Sequence, residues 1–311
     1  MRGSSGQPLP QRHSMDYTYS ITEAINRIPG RNAEIRSAER VSGGDINRAY
    51  RLELDDGSLF MKTNAKENRN FFRAEVAGLE AISSTKTIRV PQVLGIGEDP
   101  LYGAFLLLEW IRGKPKKEAS ETFGRNLAAM HRADTSGILA NGCFGFPSDN
   151  YIGAGRQKNT PCEKWISFFR DYRLLPQFTM AEEYFDEYDR ACFTRLADHL
   201  DQFLIEPDAP SLLHGDLWAG NYIIGYDGEA WLIDPAAYIG HAEADLAMTE
   251  LFGGFSSSFY GAYREINPLQ PGYDDRRDLY NLYHLMNHLN LFGWSYLGSV
   301  RSILRKYGGH L

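Results

Sequence analysis

The stretch "HGDLWAGNYIIGYDGEAWLIDPA", residues 214–236, sets an acid, Asp216, two residues after His214 and an amide, Asn221, five residues further on. A second acid, Asp234, stands near its end. Between Asn221 and Asp234 lie a short apolar strand, an Asp227-Gly228 pair and another apolar strand. Asp-Gly between two such runs signals a two-residue hairpin. Counted back from that turn, Tyr226 faces Glu229, Ile224 faces Trp231 and Asn221 faces Asp234. Opposed residues in a hairpin hold their Cβ atoms about 4.5–5.5 Å apart. An amide oxygen and a carboxylate would then stand side by side at the open end, near enough to share one divalent cation. Hard oxygen ligands of this kind suit Mg²⁺, which keeps waters and takes the rest of its shell from substrate phosphates. Asp216 lies on the loop that leads into the same end. The plainer alternative is a solvated polar mouth.

Working outward toward the N-terminus, "AYRLELDDGSLFMKT" (49–63) alternates Tyr50, Leu52 and Leu54 on one face, turns at Asp56-Gly57, and returns through Leu59, Met61 and Thr63. That is a hairpin pattern. Gly43 and Gly44 precede it between two strands, either as an ordinary turn or as a loop whose bare N–H groups can approach a phosphate. The following "ENRNFFRAEVAGLEAIS" (67–83) has helical spacing of Phe71, Phe72, Leu79 and Ile82, with Glu75 on the same face. Glu75 either reaches water at the stripe's edge or meets a cation, and Lys62, in the preceding strand, is the candidate partner. A strand lysine and a helix glutamate beneath a glycine-rich turn is the arrangement with which protein kinases hold ATP phosphates. The four residues between Asp216 and Asn221 also match the kinase catalytic loop. Two more strands follow in "VPQVLGIGEDPLYGAFLLLEWIRGKP" (90–115), the second nearly all apolar and so central. It ends at Glu109 to Ile111, the expected lobe boundary, where free backbone groups can meet a ligand.

The C-terminal part reads as helices: 118–134, with Phe123, Leu127 and Met130 on a buried face beside His131; 163–175; 181–204; and one or two within 278–307. His284 and His288 are spaced for a metal on a helix but lack an acidic or Cys partner at matching spacing, and are read as packing. The 311 residues are 43% hydrophobic and 23% charged, enough for a large core. The net charge of −7 argues against a nucleic-acid-binding face. No apolar run reaches the roughly 18 residues of a membrane span. Three cysteines, Cys143, Cys162 and Cys192, form neither a disulfide framework nor a zinc pattern, so a reducing cytoplasm is the expected setting. "MRGSSGQPLPQRHSM" opens like an expression leader, with Met15 the expected natural start.

Several stretches together resemble the fructosamine kinase (ketosamine kinase) family: "HGDLWAGN", "LIDPAAYIGHAEADLAMTELFGGF" (232–255), "HLNLFGWSYL" (288–297), "DNYIG" (149–153) and "WISFFRDYRL" (165–174). The resemblance runs from about Val41 to Ile303. "HGD…N…D" alone marks only the wider aminoglycoside- and choline-kinase-like group; the Trp after "HGDL" and the long "GHAEADLAMTELFGGF" are more specific. Two departures stand out. "AGRQ" at Ala154 to Gln157 replaces the family's frequent "TPQ", next to the expected sugar pocket. Asp45 occupies a glycine-rich-loop position where some eukaryotic relatives carry Cys, so no loop disulfide can form there.

The resemblance implies an α+β, protein-kinase-like two-lobe fold: a leader over 1–14, a small β-rich N-lobe with one key helix over 15–111, and a larger, mainly helical C-lobe over 112–311. It implies ATP-dependent phosphorylation of the sugar 3-hydroxyl of a ketosamine, free or on protein, after which the unstable adduct releases the amine. The expected cofactors are ATP and Mg²⁺; no nucleic acid or membrane partner is expected. Asp216 is the expected base or orienter, Asn221 and Asp234 the metal ligands, Lys62 the α/β-phosphate contact and Glu75 its orienter. Gly43 and Gly44 would cover the phosphates, and the backbone of Glu109 and Ile111 would meet adenine. Trp218 either stacks on the sugar or packs under the loop. His214 and Asp245 are expected to support the catalytic loop. The other readings are an aminoglycoside or other small-molecule kinase, and a non-catalytic nucleotide-binding scaffold of the same fold.

Overall fold

The computed structural model describes residues 17–31, 34–41, 47–113 and 120–310, so the leader and the pair Gly43 and Gly44 lie outside the described residues. The chain is α+β and divides into two compact units, 17–69 with 93–108, and 70–92 with 109–310.

The first unit is built on a five-stranded sheet in the order β1-β2-β3-β5-β4. The strands are β1 (Ile35–Val41), β2 (Arg48–Leu54), β3 (Gly57–Asn64), β4 (Val93–Asp99) and β5 (Gly103–Glu109). Period-two alternation sends Leu52, Leu54, Leu59 and Met61 into one core with Phe105 and Leu107. Helix α1 (Ile21–Asn26), capped by the Ser20 hydroxyl, closes that core with Ile21, Ala24 and Ile25. The first hairpin turns at Asp55-Asp56, and Gly57 opens β3 opposite Leu54. The expected turn at Asp56-Gly57 is therefore displaced by one residue. Both placements leave the parity of the pairing unchanged, so the buried face is the expected one.

The second unit is mainly helical. Helix α2 (Arg69–Ser84) falls almost wholly within it. Its Gly78 lies against Pro235, where a Cβ would stand 3.1 Å from the ring, and Phe71 stacks on Tyr151 with ring centroids 3.8 Å apart. Helix α3 (Glu121–His131) packs on α8 (Ser257–Ile266) so closely that a Cβ on Gly124 would meet the Phe259 carbonyl. The stretch 163–175 departs from a plain helix: α4 (Trp165–Phe169) runs through a π turn (Arg170–Leu174) into α5 (Leu175–Met180). Of 181–204, only α6 (Glu187–Asp198) is a long helix, begun by a capping box of Asp186 and Asp189. Helix α7 (Ala242–Leu251) is buried on nearly every side, and α9 (Tyr273–Phe292) and α10 (Leu297–Gly308) complete the unit. His284 and His288 lie on α9 among the rings of Tyr283, Phe252, Phe292 and Tyr296.

Three small ribbons are set into these helices: β6 (Asn150–Ile152) with β7 (Gly155–Gln157), β8 (Ser211–Leu213) with β11 (Tyr238–Gly240), and β9 (Tyr222–Ile224) with β10 (Ala230–Leu232). Among the described residues no helix is long and apolar enough to cross a membrane.

Candidate active site

The β9–β10 hairpin differs from the count made on its sequence. Ile224 pairs with Ala230 and Tyr222 with Leu232, and the Gly225 amide donates to the Glu229 carbonyl at 2.9 Å. The loop therefore holds three residues, Tyr226, Asp227 and Gly228, with Gly228 at φ +88°. A type I turn followed by a left-handed glycine gives this three-residue form. The register moves by one, and Asn221 faces Ile233, whose N–H donates to the Asn221 carbonyl at 3.0 Å. The predicted opposition of Asn221 and Asp234 is corrected accordingly. Two residues beyond β10, Asp234 is a non-glycine residue at φ +55°, followed by Pro235. Asp is among the few residues that enter this left-handed region.

The loop 214–221 is held from below by Asp245, in the first turn of α7. Its carboxylate accepts the His214 amide at 2.7 Å and the Gly215 amide at 2.8 Å. The His131 Nε2 stands 3.1 Å from the same group, and His131 Nδ1 is 2.7 Å from the Tyr263 hydroxyl. Burial acts to raise the Asp245 pKa, but the His131 hydrogen bond and charge, the His214 charge and the Gly215 amide outweigh it and hold the group below the usual carboxylate range. His214 is buried, and burial lowers its pKa. Its Nε2–H donates to the Ile233 carbonyl at 2.8 Å, and its Nδ1 accepts the Asp216 amide at 3.3 Å. The neutral ring thus ties the loop to the residue before Asp234. Gly215, at φ +83°, is required by space as well as by conformation, since a Cβ would collide with the Ala236 carbonyl.

On this frame Asp216 and Asn221 meet. The Asn221 Nδ2 donates to the Asp216 carbonyl at 2.8 Å and to its Oδ2 at 3.1 Å. Withdrawal from water pushes Asp216 up to about 7; the Asn221 hydrogen bond opposes this, and the charges of Asp234 and Asp245 add to it. A carboxyl group poised there can exchange a proton at neutral pH. Because the Asn221 nitrogen is committed to Asp216, its Oδ1 is turned away from that acid. One amide oxygen and the Asp234 carboxylate are hard donors beside concentrated negative charge, a set that fits Mg²⁺ with substrate oxygens completing the shell.

Trp218 is 40% exposed, and its indole folds over Gly220, where a Cβ would meet the ring. Lys62 is buried on β3 opposite Ala49, in the first unit; Glu75 lies on α2, in the second. Glu109 ends β5 and donates its N–H to the Gln92 carbonyl at 2.9 Å. Ile111 follows beyond the strand.

Sequence reasoning missed a buried polar set beside the loop, made by Asn150, Gln157, Asn159, Arg173 and Tyr283. Each looks like an ordinary surface or core residue in isolation. The sequence signals were that Asn150 and Arg173 sit in the family-like stretches 149–153 and 165–174, and that Gln157 ends the departing "AGRQ".

A family model described as fructosamine kinase matches residues 17–308. The protein-ribulosamine 3-kinase of Arabidopsis thaliana is 40% identical over 285 residues, covering 89% of this chain and 84% of its own. A probable ketoamine kinase of Synechocystis sp. is 39% identical over 298 residues, 92% and 95% of the two chains. A solved structure assigned as a fructosamine-3-kinase, from Haemophilus somnus, superposes with a TM-score of 0.82 at 29% identity, over 93% of this chain and 96% of that one. A solved aminoglycoside phosphotransferase, 17% identical, shares the fold with a TM-score of 0.55 over 89% and 96%. The fold is therefore the protein-kinase-like fold that fructosamine kinases share with aminoglycoside phosphotransferases. The chain belongs to the fructosamine kinase family.

Proposed function

We propose that this protein transfers the γ-phosphoryl group of ATP to the 3-hydroxyl of the sugar in a ketosamine, a fructosamine, ribulosamine or erythrulosamine adduct of an amine. The observation that carries the reading is the hydrogen-bonded pair of Asp216 and Asn221 on a loop braced by Asp245. Membership of the fructosamine kinase family supports the substrate class.

Phosphoryl transfer asks the protein for positioning and charge compensation more than for covalent chemistry. Asp216 orients the attacking hydroxyl and takes its proton, a task suited to a carboxyl group whose pKa is near 7. Asn221 and Asp234 would hold Mg²⁺, which would supply neutralisation of the phosphate charge. Lys62 serves the α- and β-phosphates with Glu75 as its orienting acid, Gly43 and Gly44 cover the phosphates, and the backbone of Glu109 and Ile111 meets adenine. Trp218 offers the sugar an exposed indole face. His214 and Asp245 keep the loop in place without touching substrate.

The test is ATP consumption with a ribulosamine or fructosamine beside an aminoglycoside, the product located by phosphorus NMR. A ketosamine 3-phosphate is expected. Turnover of the aminoglycoside alone would move the chain to the second substrate class, and no turnover of either would favour a nucleotide-binding scaffold.

A further inference from the structure

Asp234 keeps a left-handed backbone between two anchored segments. On its N-terminal side β10 is fixed by β9, and the Ile233 carbonyl by His214. On the C-terminal side the Ala236 N–H donates to the His214 carbonyl at 2.9 Å and β11 pairs with β8 from Tyr238, and between them the Ala236 and Ala237 carbonyls each end a chain of buried donors. In one chain Arg173 Nη2 donates to Asn159 Oδ1 at 2.7 Å, Asn159 Nδ2 to Asn150 Oδ1 at 2.9 Å, and Asn150 Nδ2 to the Ala237 carbonyl at 2.7 Å. In the other the Tyr283 hydroxyl donates to Gln157 Oε1 at 2.6 Å, and Gln157 Nε2 to the Ala236 carbonyl at 3.1 Å. Gln157 Nε2 also donates to Asn150 Oδ1 at 2.7 Å, which joins the two chains. All five side chains are at most 3% exposed.

The network runs in one direction. Arg173, which lies over the Tyr238 ring at 4.0 Å and is anchored by the Lys158 and Tyr172 carbonyls, can only donate. That orders Asn159, then Asn150, so that an N–H and not an oxygen faces Ala237. Gln157 is ordered toward Ala236 by Asn150 Oδ1, which accepts from its Nε2, and the Tyr283 hydroxyl donates to the Oε1 left on the other side. A hydrophobic core would pack this region as well, but it would leave two successive buried carbonyls without partners.

We propose that Arg173, Asn159, Asn150, Gln157 and Tyr283 are positioning residues for Asp234: they hold the backbone after it so that its left-handed turn presents the carboxylate to a divalent cation shared with Asn221. This rests on the reading of Asn221 and Asp234 as metal ligands. Groups that orient metal ligands from outside the coordination shell typically change metal affinity 10–100-fold when removed.

The experiment is Mn²⁺ binding to the full-length protein in the presence of a non-hydrolysable ATP analogue, followed by electron paramagnetic resonance, with thermal stability recorded alongside. Gln157→Leu should weaken Mn²⁺ binding by about tenfold or more. Tyr283→Phe, which keeps the ring and removes only the hydroxyl that holds Gln157 Oε1, should weaken it by a smaller factor while the protein remains folded. Metal-free nucleotide affinity should not change in either variant. A folded Tyr283→Phe protein with parental Mn²⁺ affinity overturns the positioning role, even if its stability falls, since that is what mere packing would give. A parent that binds no Mn²⁺ with the analogue overturns the metal-ligand reading itself, and this inference with it.

Discussion

Replacing Asp245 by Asn tests how the loop 214–221 is held. The two side chains have nearly the same shape, but the carboxylate presents two acceptor oxygens and the amide one. Asp245 Oδ1 accepts Gly215 N–H, while Oδ2 accepts His214 N–H and faces His131 Nε2. In the variant, whichever way the amide is turned, an NH₂ meets at least one backbone N–H. One charge-assisted hydrogen bond is lost, about 1.5–3 kcal/mol, and a buried donor is left unsatisfied, a further ~1–3 kcal/mol. A destabilisation of about 2.5–6 kcal/mol follows. At roughly 2 °C per kcal/mol for a chain of this size, the Tm should fall by about 5–12 °C. Circular dichroism reads the unfolding, and kcat measured well below the new Tm reads the loop. The pH profile supplies a second sign. Because Asp245 is held below its unfolded pKa, its contribution is complete above about pH 4 and is lost as pH falls toward the folded value. The Asn variant should lack that part of the acid slope. A variant with a Tm within 1–2 °C of the parent (about 1 kcal/mol or less), unchanged acid lability and parental kcat would refute this account of the loop.

Three further outcomes are expected. Gly215→Ala forces a side chain into the left-handed region and against the Ala236 carbonyl, so kcat should collapse with the loop displaced, measured by activity and by the near-ultraviolet signal of Trp218. Arg276 makes two hydrogen bonds, 2.6 and 2.7 Å, to Glu243, and both are buried; Arg276→Met should cost about 3–5 kcal/mol in urea unfolding, and adding Glu243→Leu should recover most of it. His241, pushed down to about 3 by burial and by the charges of Arg276 and His131, stays neutral in the fold, while the unfolded chain takes up a proton below about pH 6.5. Stability should therefore fall as pH drops from about 6.5 toward 3, by up to ~1.4 kcal/mol per pH unit from this group. His241→Asn, which keeps the cap of α7, should flatten that slope in Tm measured against pH.

The two hairpins show what the sequence could and could not disclose. In the first, an error of one residue in the turn left parity intact, and Leu52, Leu54, Leu59 and Met61 were assigned to the correct face. In the second, Asp227-Gly228 is compatible with a two- or a three-residue loop, and the three-residue form changes the parity that was used to oppose Asn221 and Asp234. The residue types alone single out Asn221 and Asp234, but Asn221 faces Ile233 and not Asp234. Nothing in "LIDPA" announces φ +55° at Asp234. Arg173 was hidden for another reason. Helical spacing puts Arg173 on the face of Trp165 and Phe169, but a charged residue there reads as reaching water from the edge of the stripe, and nothing in the sequence names the Lys158, Tyr172 and Asn159 oxygens that accept from it. The helices around Phe123 and at 278–307 were legible because their apolar spacing is long and regular.

The most direct test of the central claim is Asp216→Asn, assayed with MgATP and a ribulosamine or fructosamine, with MgATP binding measured on the same sample by calorimetry. Asn keeps the size of the side chain but cannot take the proton of the attacking hydroxyl. MgATP affinity should stay close to that of the parent, while kcat falls at least about a hundredfold, the lower end of what a positioned base contributes. A variant with near-parental kcat on the ketosamine would contradict the assignment of Asp216 as the group that activates the sugar hydroxyl.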